Sequence, residues 1–340
     1  MKKLIIYLFT LGALFTACEN QEWDFPDYDY STVYFAYQRP VRTLVLGTDY
    51  VFDNTLDNEH KCRIMATMGG VYTNDNDVII DVEVDNSLCD NLIFDSDLAH
   101  SVLPMPAEYY SLSSDMQIVI PAGDLMGGIE VQLTDAFFED TLSTQNNYVI
   151  PLVMTDVTNA DSILSGSAAV EMPDRRILAD WVSGEAPKNY ILYAVKFMNP
   201  WHASYLRRGV EVVDGSTTIT YHETYVEQDE VCTTQTLSND AVSLALEATN
   251  ADETTTPFEL ILTFDAGNNC SVSNPASATY TVSGSGSYME DADMWGGEAR
   301  DALYLQYEVD LSGSVHTFTD TLVLRDRGVG FETFNATVIE

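Results

Sequence analysis

The sequence predicts an all-β protein: an immunoglobulin-like sandwich followed by an antiparallel meander that closes as a lipocalin-like barrel or forms a second sandwich. Three observations predict it. The dominant hydrophobic period is two, as in "DVIIDVEVD", "MQIVIPAG", "GGIEVQLTD" and "NYVIPLVMTD", which is the pattern of strands with one face in a core. Gly, Asn, Asp and Pro bound these short β-branched runs, and long helical patterns are absent. With 340 residues, 46% of them hydrophobic, the chain has apolar material for two ordinary cores.

The chain opens with "MKKLIIYLFTLGALFTAC": two lysines, then an apolar run shorter than a comfortable membrane span. Residues 1–17 read as a lipoprotein signal peptide and Cys18, behind Thr16 and Ala17, as the lipidated residue. Acyl chains at about 0.8 kcal/mol per buried methylene would then hold the mature protein on a bilayer. Residues 18–30, with "ENQEWDFPDYDY", are acidic and aperiodic and read as a tether. The sandwich is expected over 31–175, where the alternating runs suffice for one such domain. Small residues, Pro173, Pro187 and a charge cluster mark a linker over 176–187, with a helical turn near "RRILADW". Beyond it, eight segments from "YILYAVKFM" to "HTFTDTLVLRD" build the domain expected over 188–340.

Charge narrows the partners. There are 53 acidic and 15 basic side chains, a formal net charge of -38, so a nucleic acid would be repelled across the surface. No Lys or Arg occurs between Arg63 and Arg175 or between Arg208 and Arg300. The remaining cysteines fall two per domain. Cys62 with Cys89 and Cys232 with Cys270 is the natural disulfide pairing in an exported protein, and four buried free thiols are the alternative. Acidic loops at 74–77 and 290–293 have the oxygen ligands for a structural calcium ion but not the Asp-x-Asp-x-Asp-Gly order. No other cofactor is implied.

Catalytic signatures are missing. There is no Gly-x-Ser-x-Gly elbow, His-Glu-x-x-His or phosphate loop. Asp81, Glu83 and Asp85 superficially resemble a glycosidase signature, but alternation puts them on one face of a strand, without a cleft. The chemistry that remains is sugar recognition, in which an aromatic ring packs on a pyranose face and nearby polar groups hold its hydroxyls. "NPWHASYLRRG" supplies Trp201, His202, Tyr205 and Arg207, and "DADMWGGEARD" supplies Trp295 and Arg300. On a strand, Trp201, Ala203, Tyr205 and Arg207 share one face, and Arg208 turns to the other to meet a structural carboxylate. In the competing reading Trp201 and Trp295 plug barrel ends and the arginines form ion pairs.

The stretch with Leu103-Pro104, Tyr109, Ala122-Gly123 and Tyr148 to Pro151 resembles an N-terminal sandwich domain of unknown function. That domain recurs in surface lipoproteins of bacterial polysaccharide-utilisation loci and ahead of some endo-N-acetylglucosaminidases. "NPWHASYLRRG", "WGGEARDALYLQYEVD" and "DTLVLRDRG" are similar to an uncharacterised domain found behind it. The resemblance implies a non-catalytic, SusE/SusF-like glycan-binding lipoprotein. Its place would be the outer membrane, facing the cell exterior, beside a SusC/SusD-type transporter and glycosidases. A structural or adhesive lipoprotein with a protein partner is the alternative, and a glycan-active enzyme a more distant one.

Overall fold

The computed structural model describes residues 30–95, 100–113, 115–250 and 254–339. The expected signal peptide, Cys18 and all but the last residue of the tether lie outside them. The chain is all-β, with two one-turn α-helices, Thr55–Asn58 and Asp135–Glu139, as its only α-helical elements among these residues.

The first domain is one hydrogen-bonded path of strands. It runs Ser162–Ile163, Thr32–Tyr34, Lys61–Gly69, Met126–Leu133, Gln117–Ile120, Val78–Val84, Tyr148–Thr158, Tyr190–Met198, Pro40–Val45 and Glu332–Thr333. Alternate side chains from nearly every strand, among them Val33, Ile64, Ile80, Ile120, Val131, Ile150 and Phe197, enter one core. A path whose strands all share one core must curl into two facing layers, the sandwich that period-two patterning predicts. Val82 points inward while Asp81 and Glu83 stand on the outer face, as strand alternation requires.

Neighbouring strands of this sheet carry apolar side chains on both faces. Tyr148, Ile150, Leu152 and Met154 enter the main core, whereas Val149 and Val153 enter a second one with Leu88, Leu92, Phe94 and Phe334. The neighbouring Tyr190–Met198 strand divides in the same way. This strand was expected to open the second domain, yet it pairs with Tyr148–Thr158 and, in parallel, with Pro40–Val45. Its sequence "YILYAVKFM" is apolar at nearly every position, and only a sheet covered on both sides buries such a strand.

The second domain is a closed eight-stranded antiparallel barrel of Ser204–Val213, Glu230–Thr236, Ala241–Thr249, Thr255–Phe264, Asn269–Ser273, Thr281–Trp295, Glu298–Leu311 and Ser314–Asp326. Ser204–Val213 closes it by pairing with Ser314–Asp326. Of the two architectures the sequence allowed, this is the barrel. "TTITY" is an arm hydrogen-bonded to the outer half of Ser204–Val213 rather than a stave. Two short staves escape a hydrophobic count because they turn only Cys232 with Thr234, and Cys270 with Val272, inward. Gly296-Gly297 and Ser312-Gly313 lie at positive φ, the two-residue turns whose twist matches a tight hairpin. The hairpin ending at Gly296-Gly297 runs past its neighbours, since Asp293–Trp295 pairs only with Glu298–Arg300.

The segment expected as a linker is packed. Its helical turn is a 3-10 turn at Leu178–Asp180, and Trp181 bridges back to Ala168. After the barrel, Glu332–Thr333 and Ala336–Val338 rejoin the first domain by pairing with Pro40–Val45 and Leu92–Phe94. The barrel is therefore bounded by Met198 and Glu332 rather than reaching residue 340.

The four cysteines among the described residues are free and buried, so the expected Cys62–Cys89 and Cys232–Cys270 pairs are not formed. The first pair is divided between two cores, Cys62 facing the main one and Cys89 the second. Burial pushes each thiol up to about 12, which suppresses the reactive thiolate. Ellman titration at pH 8 should detect none of these four thiols in the native protein and all four after denaturation.

Candidate functional site

Alternation along Ser204–Val213 turns Tyr205 and Arg207 to one side, the turn before the strand brings Trp201 and Ala203 into the same core, and closure of the barrel makes that side the interior. Trp201, Ala203, Tyr205 and Arg207 are 8%, 0%, 0% and 1% exposed. Trp201 lies flat on Phe264, with ring centroids 4.0 Å apart and planes at 3°. The surface a sugar would need is thus occupied by a phenyl ring. The Tyr205 hydroxyl donates to the Trp201 carbonyl at 2.9 Å. As binding residues, Trp201, Tyr205 and Arg207 are corrected to core residues.

Arg207 anchors an ionic cluster inside the barrel. It lies 3.2 Å from Asp320 and 3.3 Å from Glu230, and its guanidinium rests 4.3 Å from the centre of the Tyr221 ring. Tyr307 donates to Asp320 at 2.7 Å. Burial lifts the Asp320 carboxyl above its ordinary value, and Arg207 and the Tyr307 hydrogen bond draw it back. Deeper along the same strands, Glu211 is held by His316, Tyr221 and the Thr249 N–H. Gly209 sits opposite Asp320, where an added Cβ would come within 1.8 Å of the carboxylate oxygen. The cluster fills its own space. Arg208, on the other face, pairs with Asp229, the structural carboxylate that alternation predicts.

Trp295 and Arg300 lie where the domains meet. Tyr50, from the first domain, donates to Asp301 of the barrel at 2.7 Å, and Tyr288 donates to the other oxygen of Asp301 at 2.6 Å. Arg300 stacks 4.2 Å from the Tyr50 ring and 5.4 Å from Trp295. Trp295 and Arg300 are brought together as expected, but around a tyrosine that caps the barrel rather than an open platform. Arg327 crosses the seam, donating to the carbonyls of Leu46, Thr48 and Asn199 at 3.0, 3.2 and 2.7 Å.

His202 is separated from the other candidates and lines a cleft of about 330 Å³ between the domains. Its Nδ1 accepts the Thr236 N–H at 3.0 Å, so the proton of the neutral ring is on Nε2. Burial first, then the nearby charges of Arg327 and Lys196, lower its pKa from 6.5 to about 4. Between those values the folded protein binds fewer protons than the unfolded chain. Stability present at pH 7 is therefore lost as pH falls from 6.5 through 4, by at most about 3 kcal/mol. His202→Asn, whose Oδ1 replaces Nδ1 as acceptor but does not protonate, should flatten that part of the pH profile in urea denaturation.

A site that the sequence reading missed lies on the supposed linker. Asp85, Ser87, Met172, Arg175 and Trp181 line an open groove of about 580 Å³. A second depression of about 370 Å³ adjoins it through Arg175 and Arg176 and continues to Tyr37 and Phe334. Arg176 is fixed by a fork on Asp174 and by the Asp90 carbonyl at 2.6 Å. That hydrogen bonding holds the Asp174 carboxyl below its ordinary value. Asp174 also accepts, through its carbonyl, the Trp181 indole N–H at 2.8 Å, which sets the ring as a wall. Arg175 forms no ion pair or hydrogen bond among the described residues. The only sequence signal was Trp181 beside two arginines in an acidic chain.

For metal, Asn74 and Asp77 accept the N–H groups of Gly123 and Ala122 at 2.6 and 2.8 Å. Among the described residues no cluster of three or more His, Cys, Asp or Glu is arranged to hold an ion.

Sandwich, inserted barrel and polar seam define a class of two-domain β proteins. The barrel matches a domain of unknown function, DUF5627, over residues 200–328, and an N-terminal domain model matches residues 28–161. The chain is 44% identical to a crystallised structural-genomics protein of unknown function from Bacteroides ovatus, over 92% of this chain and 100% of that one, with a TM-score of 0.84. It belongs to the same family as that protein. More distantly, it is similar to a multidomain protein including DUF1735 from Bacteroides ovatus (12% identity, 88% and 97% covered, TM-score 0.42). An auxiliary nutrient binding protein from Bacteroides thetaiotaomicron is at 13% identity, with 84% and 90% covered and a TM-score of 0.36. Comparison with curated proteins gives no match.

Proposed function

We infer that the protein is a non-catalytic surface lipoprotein that captures a glycan in the groove walled by Trp181. The observation that carries this reading is the fixed indole beside the unpaired Arg175 in an open groove. It combines an apolar ring for a pyranose face with oriented polar groups for the hydroxyls. The adjoining depression lengthens the track, which suits a chain of sugars. The groove carboxylates are already engaged, Asp174 by Arg176 and Asp85 by the N–H and hydroxyl of Ser87. Neither is placed as the free acid of a glycosidase pair. The lipobox-like N-terminus supports a lipid anchor, and the resemblance to polysaccharide-utilisation lipoproteins supports an outer-membrane place facing the cell exterior, with a transporter and glycosidases as partners.

A protein partner is favoured by one observation, the exposed apolar side chains around the groove: Met172 at 89%, Leu178 at 74% and Phe331 at 68%. Retention of the chain from residue 19 onward on a panel of host and plant glycans tests the first reading. Binding to at least one glycan, weakened by Arg175→Ala, is expected. Absence of retention on every glycan would overturn it and leave the protein partner, while release of reducing ends would establish an enzyme.

A further inference from the structure

We propose that the cleft between the two domains is a second, separate binding site, for a carboxylate-bearing monosaccharide of the hexuronic acid class. It is lined by Lys196, Thr43 and Glu332 from the first domain, by His202, Ser204 and Thr233 from the barrel, and by Arg327 at the junction. Glu332 is the only acidic residue in this lining, and it is already paired with Lys196 at 2.8 Å. Arg327 is 4% exposed. Its terminal nitrogens have only neutral carbonyl acceptors, its Nε has no partner, and no carboxylate lies within ion-pair distance among the described residues. Asp49 and Asp301 favour its charge from beyond ion-pair distance, but a buried guanidinium with no carboxylate in contact is costly, and an anion beside it relieves that cost. The cleft thus carries one net positive charge in a chain of net charge -38, the reverse of the surrounding surface.

The other groups select a sugar acid over a bare anion. His202 is held as the Nε2–H tautomer by the Thr236 N–H and offers that donor in the cleft it lines. Thr43, Ser204 and Thr233 add hydroxyls, which both donate and accept as sugar hydroxyls do. A volume of about 330 Å³ is at the small end of ligand sites, enough for one ring rather than a chain. Domain junctions are a preferred place for such sites.

Isothermal titration calorimetry with glucuronate and galacturonate, against glucose, acetate and inorganic phosphate, tests the assignment on the chain from residue 19 onward. At least one uronate should bind at least tenfold more tightly than glucose, acetate or phosphate, more weakly as salt rises. His202→Asn and Lys196→Met should each weaken it at least tenfold, and two variants guard against one misfolding. Equal affinity for glucose, equal affinity for phosphate or acetate, or no uronate binding would overturn the proposal. So would loss of uronate binding in Trp181→Ala, which places the ligand in the groove. Conversely, uronate binding that survives Trp181→Ala stands even if no polysaccharide is captured.

Discussion

Arg207→Leu should destabilise the protein by about 3–5 kcal/mol, because it strands the buried carboxylate of Asp320 without its cation. Asp320 is 1% exposed, and Tyr307 alone would remain to satisfy it. Equilibrium denaturation in urea measures the loss, and a cost under about 1 kcal/mol would show that the pair is not dry. Asp320→Leu should cost a similar amount for the mirror-image reason. Combining the two should cost less than their sum, since the stranded charge disappears. Gly209→Ala attacks the same pair through space, by driving a methyl group into the carboxylate.

Trp181→Ala should have the opposite profile. Affinity for any glycan retained in the groove is expected to fall about 30-fold, the effect of removing a central aromatic anchor worth about 2 kcal/mol. The melting temperature should move by no more than about 2–4 °C, because Trp181 belongs to none of the three buried cores. An unchanged affinity by glycan-array or calorimetric measurement would remove the groove from the binding reaction. A melting temperature lowered by 10 °C or more would reassign the indole to structure.

Much of the architecture was legible because strand alternation is a local signal. Asp81 and Val82 take opposite faces as their spacing predicts, and Arg207 and Arg208 separate for the same reason. The pattern does not say which side of a strand is inside. Trp201 and Tyr205 share a face in either case, and only closure of the barrel, a pairing between strands about 110 residues apart, turns that face inward. Tyr190–Met198 reads equally well as a barrel stave or a buried sandwich strand, because a run apolar on both sides carries no orientation. The groove was hidden for another reason. Tyr37, Ser87 and Trp181 are far apart in sequence, in segments without periodicity, and meet because the linker folds back on the sandwich.

The return of the chain to its first domain has a mechanical consequence. Thr32–Tyr34 and Ala336–Val338 both belong to the sandwich side of the molecule, so tension applied between the two ends runs through the sandwich. The barrel hangs from Met198 and Glu332, on strands that both lie beside Pro40–Val45. It bears no load until that local pairing opens. A protein pulled from one end would therefore keep its barrel and its ionic interior intact while the sandwich takes the strain.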